Sequence, residues 1–415
     1  MKIPIIQLFF CVFLIINNTN AQWTSIGLSG KPVSSIISIG DIIIVGTQYE
    51  GIYRTTNGGN IWSQVGDNDL HLASVEAINV SGNILIAGTN IAGRGTYNSI
   101  DSGASWTPVY SIIDGYARAM IIRHDTVLLG TSNDGVYRST DQGNTWVNVC
   151  PSYNTPINVR SILWNENTIY VGTHTNFGGV WKSTNLGDTW VKANSGLPQH
   201  SDNFYKDIYS LISYNNFIFA GIDYSGCYRT SDGGTHWDSV NTGLSQNSSV
   251  YSFASDESAI YLGTNKVYQS IDNGNNWSSI TNNLPTENPI MALYIHNGFL
   301  YAVVYGSGIW KLALPPTDVQ ENLGVVTLDR FILDQNYPNP FNPSTTFSFN
   351  LPKTSYATLK VFDLLGKELA ILVNRQLSAG KHEYHWNATD LPSGIYFYRL
   401  QAGQYTETKK LILLR

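Results

Sequence analysis

Seven residues at equivalent places along the chain could do chemistry together. Ser34, Glu76, Arg118, Arg160, Tyr209, Tyr251 and Met291 each stand second in a recurring four-residue frame. The first column of that frame is apolar or small (Val33, Val75, Ala117, Val159, Ile208, Val250, Ile290). The third is always small (Ser35, Ala77, Ala119, Ser161, Ser210, Ser252, Ala292), and the fourth is apolar (Ile36, Ile78, Met120, Ile162, Leu211, Phe253, Leu293). Only the second column varies freely, so packing does not dictate it. Two guanidiniums can grip a carboxylate or another anion through forked hydrogen bonds, and two phenol rings beside them offer a platform. The same residues allow a bland alternative, a Glu76–Arg118–Arg160 ion-pair cluster that plugs a channel.

Other chemistry has less support. Glu76 with Asp69, Asp114 or Asp207 is the best available pair of carboxylates for cleaving a glycosidic bond. Asp67-Asn68-Asp69 reads as a solvated loop rather than a calcium site. His71, His124, His174, His200, His236 and His296 are scattered over different repeats, and no Cys/His spacing suggests zinc. There is no phosphate loop, and neither a metal nor a cofactor is expected. Cys150 and Cys227 are read as buried small hydrophobes rather than a disulfide.

The elements that must position the frame are β-strands. Charged residues are only 13% of the 415 and aromatics 12%, with 37 Gly and 11 Trp, a composition unlike disordered chains or helical bundles. The pattern Ser/Thr-x-Asp/Asn-x-Gly-x-x-Trp occurs six times, with neighbouring Trp 40 to 47 residues apart. Its third positions are Asn57, Asp101, Asp141, Asn185, Asp232 and Asp272; its last are Trp62, Trp106, Trp146, Trp190, Trp237 and Trp277. The acidic or amide oxygen can accept turn N–H groups, the Gly can take positive φ, and the Trp opens the next strand. An apolar strand ending in Gly-Thr and a Gly-x-aromatic-basic strand precede most boxes, so each period is four short strands, a propeller blade. Trp23 lies 39 residues before Trp62, in phase, while the unit after Trp277 lacks its fourth strand. The expected fold is therefore all-β, a seven-bladed β-propeller over 22–314 closed by the N-terminal strand, with structural boxes.

The boxes resemble the Asp-box (BNR) repeat of sialidases, sortilin-type receptors, xyloglucan-cleaving glucanases and photosystem II assembly factors. That resemblance implies the propeller and leaves function open, because those families include enzymes and pure binders.

Residues 315–327 read as a linker, and 328–415 as a second domain of roughly seven strands, an immunoglobulin-like sandwich. Asn336-Tyr-Pro-Asn-Pro-Phe-Asn-Pro-Ser344, Val361-Phe-Asp-Leu-Leu-Gly366, Trp386, Gly394-Ile-Tyr396 and Lys409–Arg415 resemble the type A C-terminal sorting domain of the type IX secretion system. The resemblance implies a Bacteroidota-type cell, a secretion machinery as partner, and delivery through the periplasm to the outer surface or medium. Lys2, the apolar run Ile3–Ile16 and Ala21 read as a signal peptide over 1–21, too short to span a bilayer. Residues 22–327 carry 13 basic against 23 acidic side chains, net −10, whereas 328–415 carry 10 against 7, net +3. An acidic body makes nucleic acid an unsuitable partner.

Three function classes follow. The favoured one is a secreted binding module for a glycan or peptide, with Glu76, Arg118, Arg160, Tyr209 and Tyr251 as its contacts. The loops Asp67–His71, Asp114–Tyr116, His200–Lys206, Gln48–Glu50, His174–Phe177 and Asp223–Tyr224 are expected on the same face, opposite the boxes. The second is a sialidase- or xyloglucanase-like glycoside hydrolase, although the column holds two arginines where a sialidase would want three. The third is an assembly factor for a membrane protein, which export speaks against.

Overall fold

Strands rich in Ile, Val, Tyr and Phe, punctuated by Gly turns, can satisfy their backbone groups only by pairing sideways. The computed structural model describes residues 22–315 and 332–414, except 82–83, 92–94, 110–112, 114, 124, 151–155, 175–177, 203, 334–335, 337, 340, 352–353, 365, 379 and 404. The expected signal peptide, most of the linker, Asp114, His124 and Phe177 lie outside the described residues. The chain divides into two compact units, Met1–Thr317 and Asp318–Arg415.

The first unit contains seven four-stranded antiparallel sheets among its described residues. Six of them take four consecutive strands. The seventh joins Ile290–His296, Phe299–Val304 and Gly308–Ala313 to the N-terminal strand Thr24–Gly27, with Thr24 opposite Lys311 and Ser25 opposite Trp310. The first strands of the other sheets are Val33–Ile39, Ala77–Ser81, Ala117–Arg123, Val159–Asn165, Ile208–Tyr214 and Ser252–Ser255. Each packs beside the first strand of the next sheet, and Ile290–His296 packs beside Val33–Ile39. Apolar cores lie between neighbouring sheets. One joins Val33, Ile43 and Val45 to Tyr301, Val303 and Ile309, the first sheet to the seventh.

The close approach explains the small residues. A Cβ on Gly46 would lie 2.0 Å from the Val75 carbonyl oxygen, and one on Gly130 would lie 2.4 Å from Val159 Cγ1. The Gly of the second strand is thus the seat for the first-column residue of the next sheet. Third-column serines tie the sheets: Ser35 Oγ donates to Val75 O at 3.2 Å, and Ser252 Oγ donates to Ile290 O at 2.9 Å.

The turns between third and fourth strands repeat one hydrogen-bond pattern. Ser139 Oγ donates to Asp141 Oδ1 (2.7 Å) and accepts the Gly143 N–H (2.8 Å), while Asp141 Oδ1 also accepts the Thr145 N–H (2.8 Å). Thr55 and Asn57, Ser99 and Asp101, Ser183 and Asn185, Thr230 and Asp232, and Ser270 and Asp272 do the same. The indoles donate to backbone carbonyls. Trp106 and Trp146 donate to Gly103 O and Gly143 O within their own boxes. Trp62, Trp190, Trp237 and Trp277 reach Ile26 O, Val149 O, Ala193 O and Val240 O at the outer edge of the preceding sheet. Trp23 does likewise, donating to Ile280 O at 2.9 Å, and its backbone is clamped both ways by the Asn283 side chain.

In the second unit, a three-stranded sheet (Ile332–Leu333, Ser344–Leu351, Gly380–Asn387) and a four-stranded one (Glu368–Leu377, Ser355–Phe362, Gly394–Ala402, Tyr405–Leu413) share one core. Phe347 meets Tyr398 across it, ring centres 4.7 Å apart. The Pro-rich segment is pinned to it. Asn336 N–H donates to Tyr398 Oη, Asn339 Oδ1 accepts the Ile412 N–H, and Phe341 is buried. Alternation in the sequence locates strands at Thr346–Asn350, Ala357–Asp363, His382–Trp386, Gly394–Leu400 and Glu407–Leu414 but not the strand Glu368–Leu377. Its apolar residues run consecutively from Leu369 to Val373, and two register shifts in its pairing with Ser355–Phe362 blur the alternation.

Candidate functional site

The variable column is set by a β-bulge. Val33 pairs with Thr47 and Ser35 with Gly46, leaving Ser34 as the extra residue. Register shifts at the same place single out Arg118, Arg160, Tyr209 and Met291. In the remaining two sheets, Glu76 and Tyr251 stand just ahead of the strands Ala77–Ser81 and Ser252–Ser255. A bulge frees a side chain from the in-out alternation and re-aims it. All seven column residues, joined by Gln48, line one cavity of about 550 Å³, its open mouth included.

Within it the basic and aromatic groups touch in sequence. The Arg160 guanidinium lies over the Tyr209 ring at 5.0 Å, and Tyr209 faces Tyr251 at 5.1 Å with the planes tilted by 30°. His174 lies beside Tyr209, ring centres 6.4 Å apart, and its Nδ1 is 2.5 Å from Asp207 Oδ2. Burial first, then the charge of Arg118, pull the Arg160 guanidinium below its usual range. Burial and then the Asp223 carboxylate push the Tyr209 hydroxyl above its own. Among the described residues neither Arg118 nor Arg160 makes an ion pair with a carboxylate, and Arg118 Nε is buried without an acceptor. Glu76 is the one carboxylate among the lining residues.

The loops leading into each first strand and those joining second to third strands lie at this same end of the sheets, because first-column residues pair with the ends of the second strands. They are stapled within each sheet: Gln48, His174 and Asp223 donate their N–H to Pro32, Asn158 and Asp207 carbonyls. Among the described residues of the first unit, the exposed aromatic side chains all stand at this end: Tyr49, Tyr116, Phe204, Tyr224 and Tyr305. Tyr49 and Tyr224 occupy equivalent loop positions with φ of +67° and +45°, a region costly for a residue with a Cβ.

The remaining sequence candidates separate from the cavity lining. Asp67 Oδ1 accepts the Leu70 N–H and so starts the short turn Leu70–Leu72, and Asp69 stands at the head of that turn. His236 belongs to a box turn at the opposite end. Among the described residues no group of three or more His, Cys, Asp or Glu gathers as a metal site, and no helix is long and apolar enough to cross a membrane. Gln48 and His174 stand on loops that the sequence places at this end, and Asp207 is one of the carboxylates it weighs with Glu76; only the His174–Asp207 contact itself has no signal in the spacing, since the two residues arrive on different loops.

Comparison with solved structures returns propeller-like folds. YCF48 from Cyanidioschyzon merolae is 13% identical with TM-score 0.55, covering 72% of this chain and 100% of its own. PorZ, an essential surface component of the type IX secretion system of Porphyromonas gingivalis, is 16% identical with TM-score 0.51, covering 92% and 59%. The GH74 enzyme of Niastella koreensis is 14% identical with TM-score 0.56, covering 93% and 73%. At these identities the likeness is one of fold. No curated protein matches the chain significantly. Residues 335–414 match the family described as the secretion system C-terminal sorting domain. The tail thus marks this chain for type IX secretion, and its destination is the cell surface or the medium.

Proposed function

We propose that the first unit is a seven-bladed Asp-box propeller, shut into a ring by the strand Thr24–Gly27, and that it works outside the cell as a binding module. Its ligand presents a carboxylate, from an acidic sugar or a peptide terminus, to Arg118 and Arg160, with Tyr209 and Tyr251 as the platform. The observation that carries this reading is the pair of half-buried guanidiniums with no carboxylate partner among the described residues. Glu76 and Asp207 act on Arg160 through space without an ion-pair contact among the described residues, and a charge taken out of water without a contacting counter-ion costs several kcal/mol. A bound anion removes that cost with charge-assisted hydrogen bonds. A xyloglucanase-like cleavage uses two flanking carboxylates, of which the lining supplies one, and a sialidase-like site would want three arginines where the lining holds two, so binding is the better reading. YCF48 has been solved with a D1 peptide, which is consistent with a propeller of this size serving as a binder.

The test is to probe the full secreted chain, and its Arg118→Gln/Arg160→Gln variant, against arrays of acidic glycans, neutral glycans and free-terminus peptides. Selective capture of carboxylated ligands, lost in the folded variant, supports the clamp. Equal capture by both proteins rejects it. Deleting 328–415 should leave the propeller folded but retained inside the cell envelope, as fractionation would reveal; release of the truncated chain into the medium would contradict the role of the tail.

A further inference from the structure

We propose that the ligand is an acidic oligosaccharide bound end-on: its carboxylated residue sits on Arg118 and Arg160, and the following sugars pass over Tyr251 into a polar groove beside the cavity. This rests on the clamp proposed above and adds the ligand class and its direction.

Tyr251 lines both spaces, the cavity and a neighbouring groove of about 760 Å³, open mouth included. The stack therefore continues outward from Arg160 through Tyr209 and Tyr251 to a groove whose outer edge carries Tyr224, 65% exposed. The groove wall is built before any ligand arrives. Ser249 Oγ donates to Asp223 Oδ1 at 2.7 Å and accepts the Tyr224 N–H at 2.9 Å. Ser248 Oγ donates to Ser245 O at 2.8 Å, the Gly226 N–H donates to Ser248 O at 2.8 Å, and Ser245 shares a hydrogen bond with the Tyr268 hydroxyl. The short hydroxyls are thus committed to holding the loop. The Gln246 and Asn247 amides and the Lys266 ammonium have no such duty among the described residues, and they line the groove together with the Glu287 carboxylate, so that the groove takes hydroxyl-rich sugars while the anionic group is held at the arginines.

That division selects the ligand. Amides pair a donor and an acceptor with vicinal hydroxyls, and exposed phenol rings stack on the apolar face of a sugar. A peptide held by its side chains would need an apolar pocket, yet the groove lining contains no Leu, Ile, Val, Met or Phe. Tyr224 is also kept at positive φ by the Ser249 bond, where a glycine would cost less. A rigid ring fixed in advance lowers the entropy lost on binding.

The experiment titrates the full chain with acidic oligosaccharides of one to six residues: oligogalacturonates, alginate and hyaluronan fragments, and sialylated oligosaccharides. For at least one series, affinity should rise tenfold or more between one and three residues. The Tyr224→Ala/Asn247→Ala variant should abolish that gain while keeping the affinity for the single acidic sugar. Arg118→Gln/Arg160→Gln should abolish both. Affinity independent of length would overturn the groove and leave the clamp standing. Capture of free-terminus peptides with no acidic sugar bound would overturn the ligand class alone. Binding of neither would overturn this inference and the clamp together.

Discussion

The two ends of the seven sheets are made from the same strands, yet they spend their polar atoms differently. At the box end each Ser/Thr hydroxyl, each Asp/Asn oxygen and each turn Trp indole has a partner, and the arrangement repeats from sheet to sheet. At the loop end the repeat stops at the bulge, two guanidiniums lack carboxylates among the described residues, and aromatic rings stand in solvent. Six of the seven sheets carry a box of one design, so uniformity there reports on folding. No sheet needs a particular bulge residue, so what stands there is free to serve a ligand.

The contrast can be broken most forcefully at the N-terminal strand. Trp23 is buried and makes the same kind of indole–carbonyl bond as the box tryptophans. Trp23→Ala should cost about 3–5 kcal/mol, a fall of roughly 5–8 °C in Tm by calorimetry. An unchanged Tm would mean that the strand does not shut the ring. At the loop end, Arg118→Gln/Arg160→Gln should lower ligand affinity by at least about 100-fold, since each charged hydrogen-bonding partner is worth about 1.5–3 kcal/mol. Its Tm, measured without ligand, should hold or rise, because two crowded cations are gone.

The box end has its own pH signature. Asp101 is held down at about 2, chiefly by the Ser105 hydroxyl and N–H. Asp232 and Asp272 are also low, through the His236 N–H and the Asn276 side chain first. At Asp141 burial opposes the shift and the Thr145 hydroxyl and N–H prevail. A carboxyl with a depressed folded pKa contributes stability that is complete above about 3.8 and lost as pH falls toward about 2. Changing all four to Asn, which the chain itself uses at 57 and 185, should barely alter Tm at pH 7 and should flatten the acid loss between pH 4 and 2. A large loss at neutral pH would show that the turns need the charge itself. The smallest effect is expected at the rim: Tyr49→Ser should change stability by no more than about 0.5 kcal/mol.

Much of this was legible because the repeat exposes its constraints. The frame of apolar, free, small and apolar columns follows from the seating of each first strand on the preceding sheet, at Gly46, Gly88, Gly130, Gly172, Gly221 and Gly263. The grouping of Arg118, Arg160, Tyr209 and Tyr251 could therefore be read from alignment alone. The bulge could not, because it is a property of pairing between strands. Nor could the approach of His174 to Asp207 and Tyr209, which joins loops from neighbouring sheets. The strand Glu368–Leu377 was hidden for a related reason, since its apolar run follows no strict alternation.

The most direct test of the clamp is an anomalous diffraction map from crystals soaked with 4-bromobenzoate, whose carboxylate is the group the two arginines lack. The account predicts a bromine peak in the cavity, with the carboxylate between Arg118 and Arg160 and the ring against Tyr209 or Tyr251. An empty cavity with Glu76 paired to the two guanidiniums would contradict it.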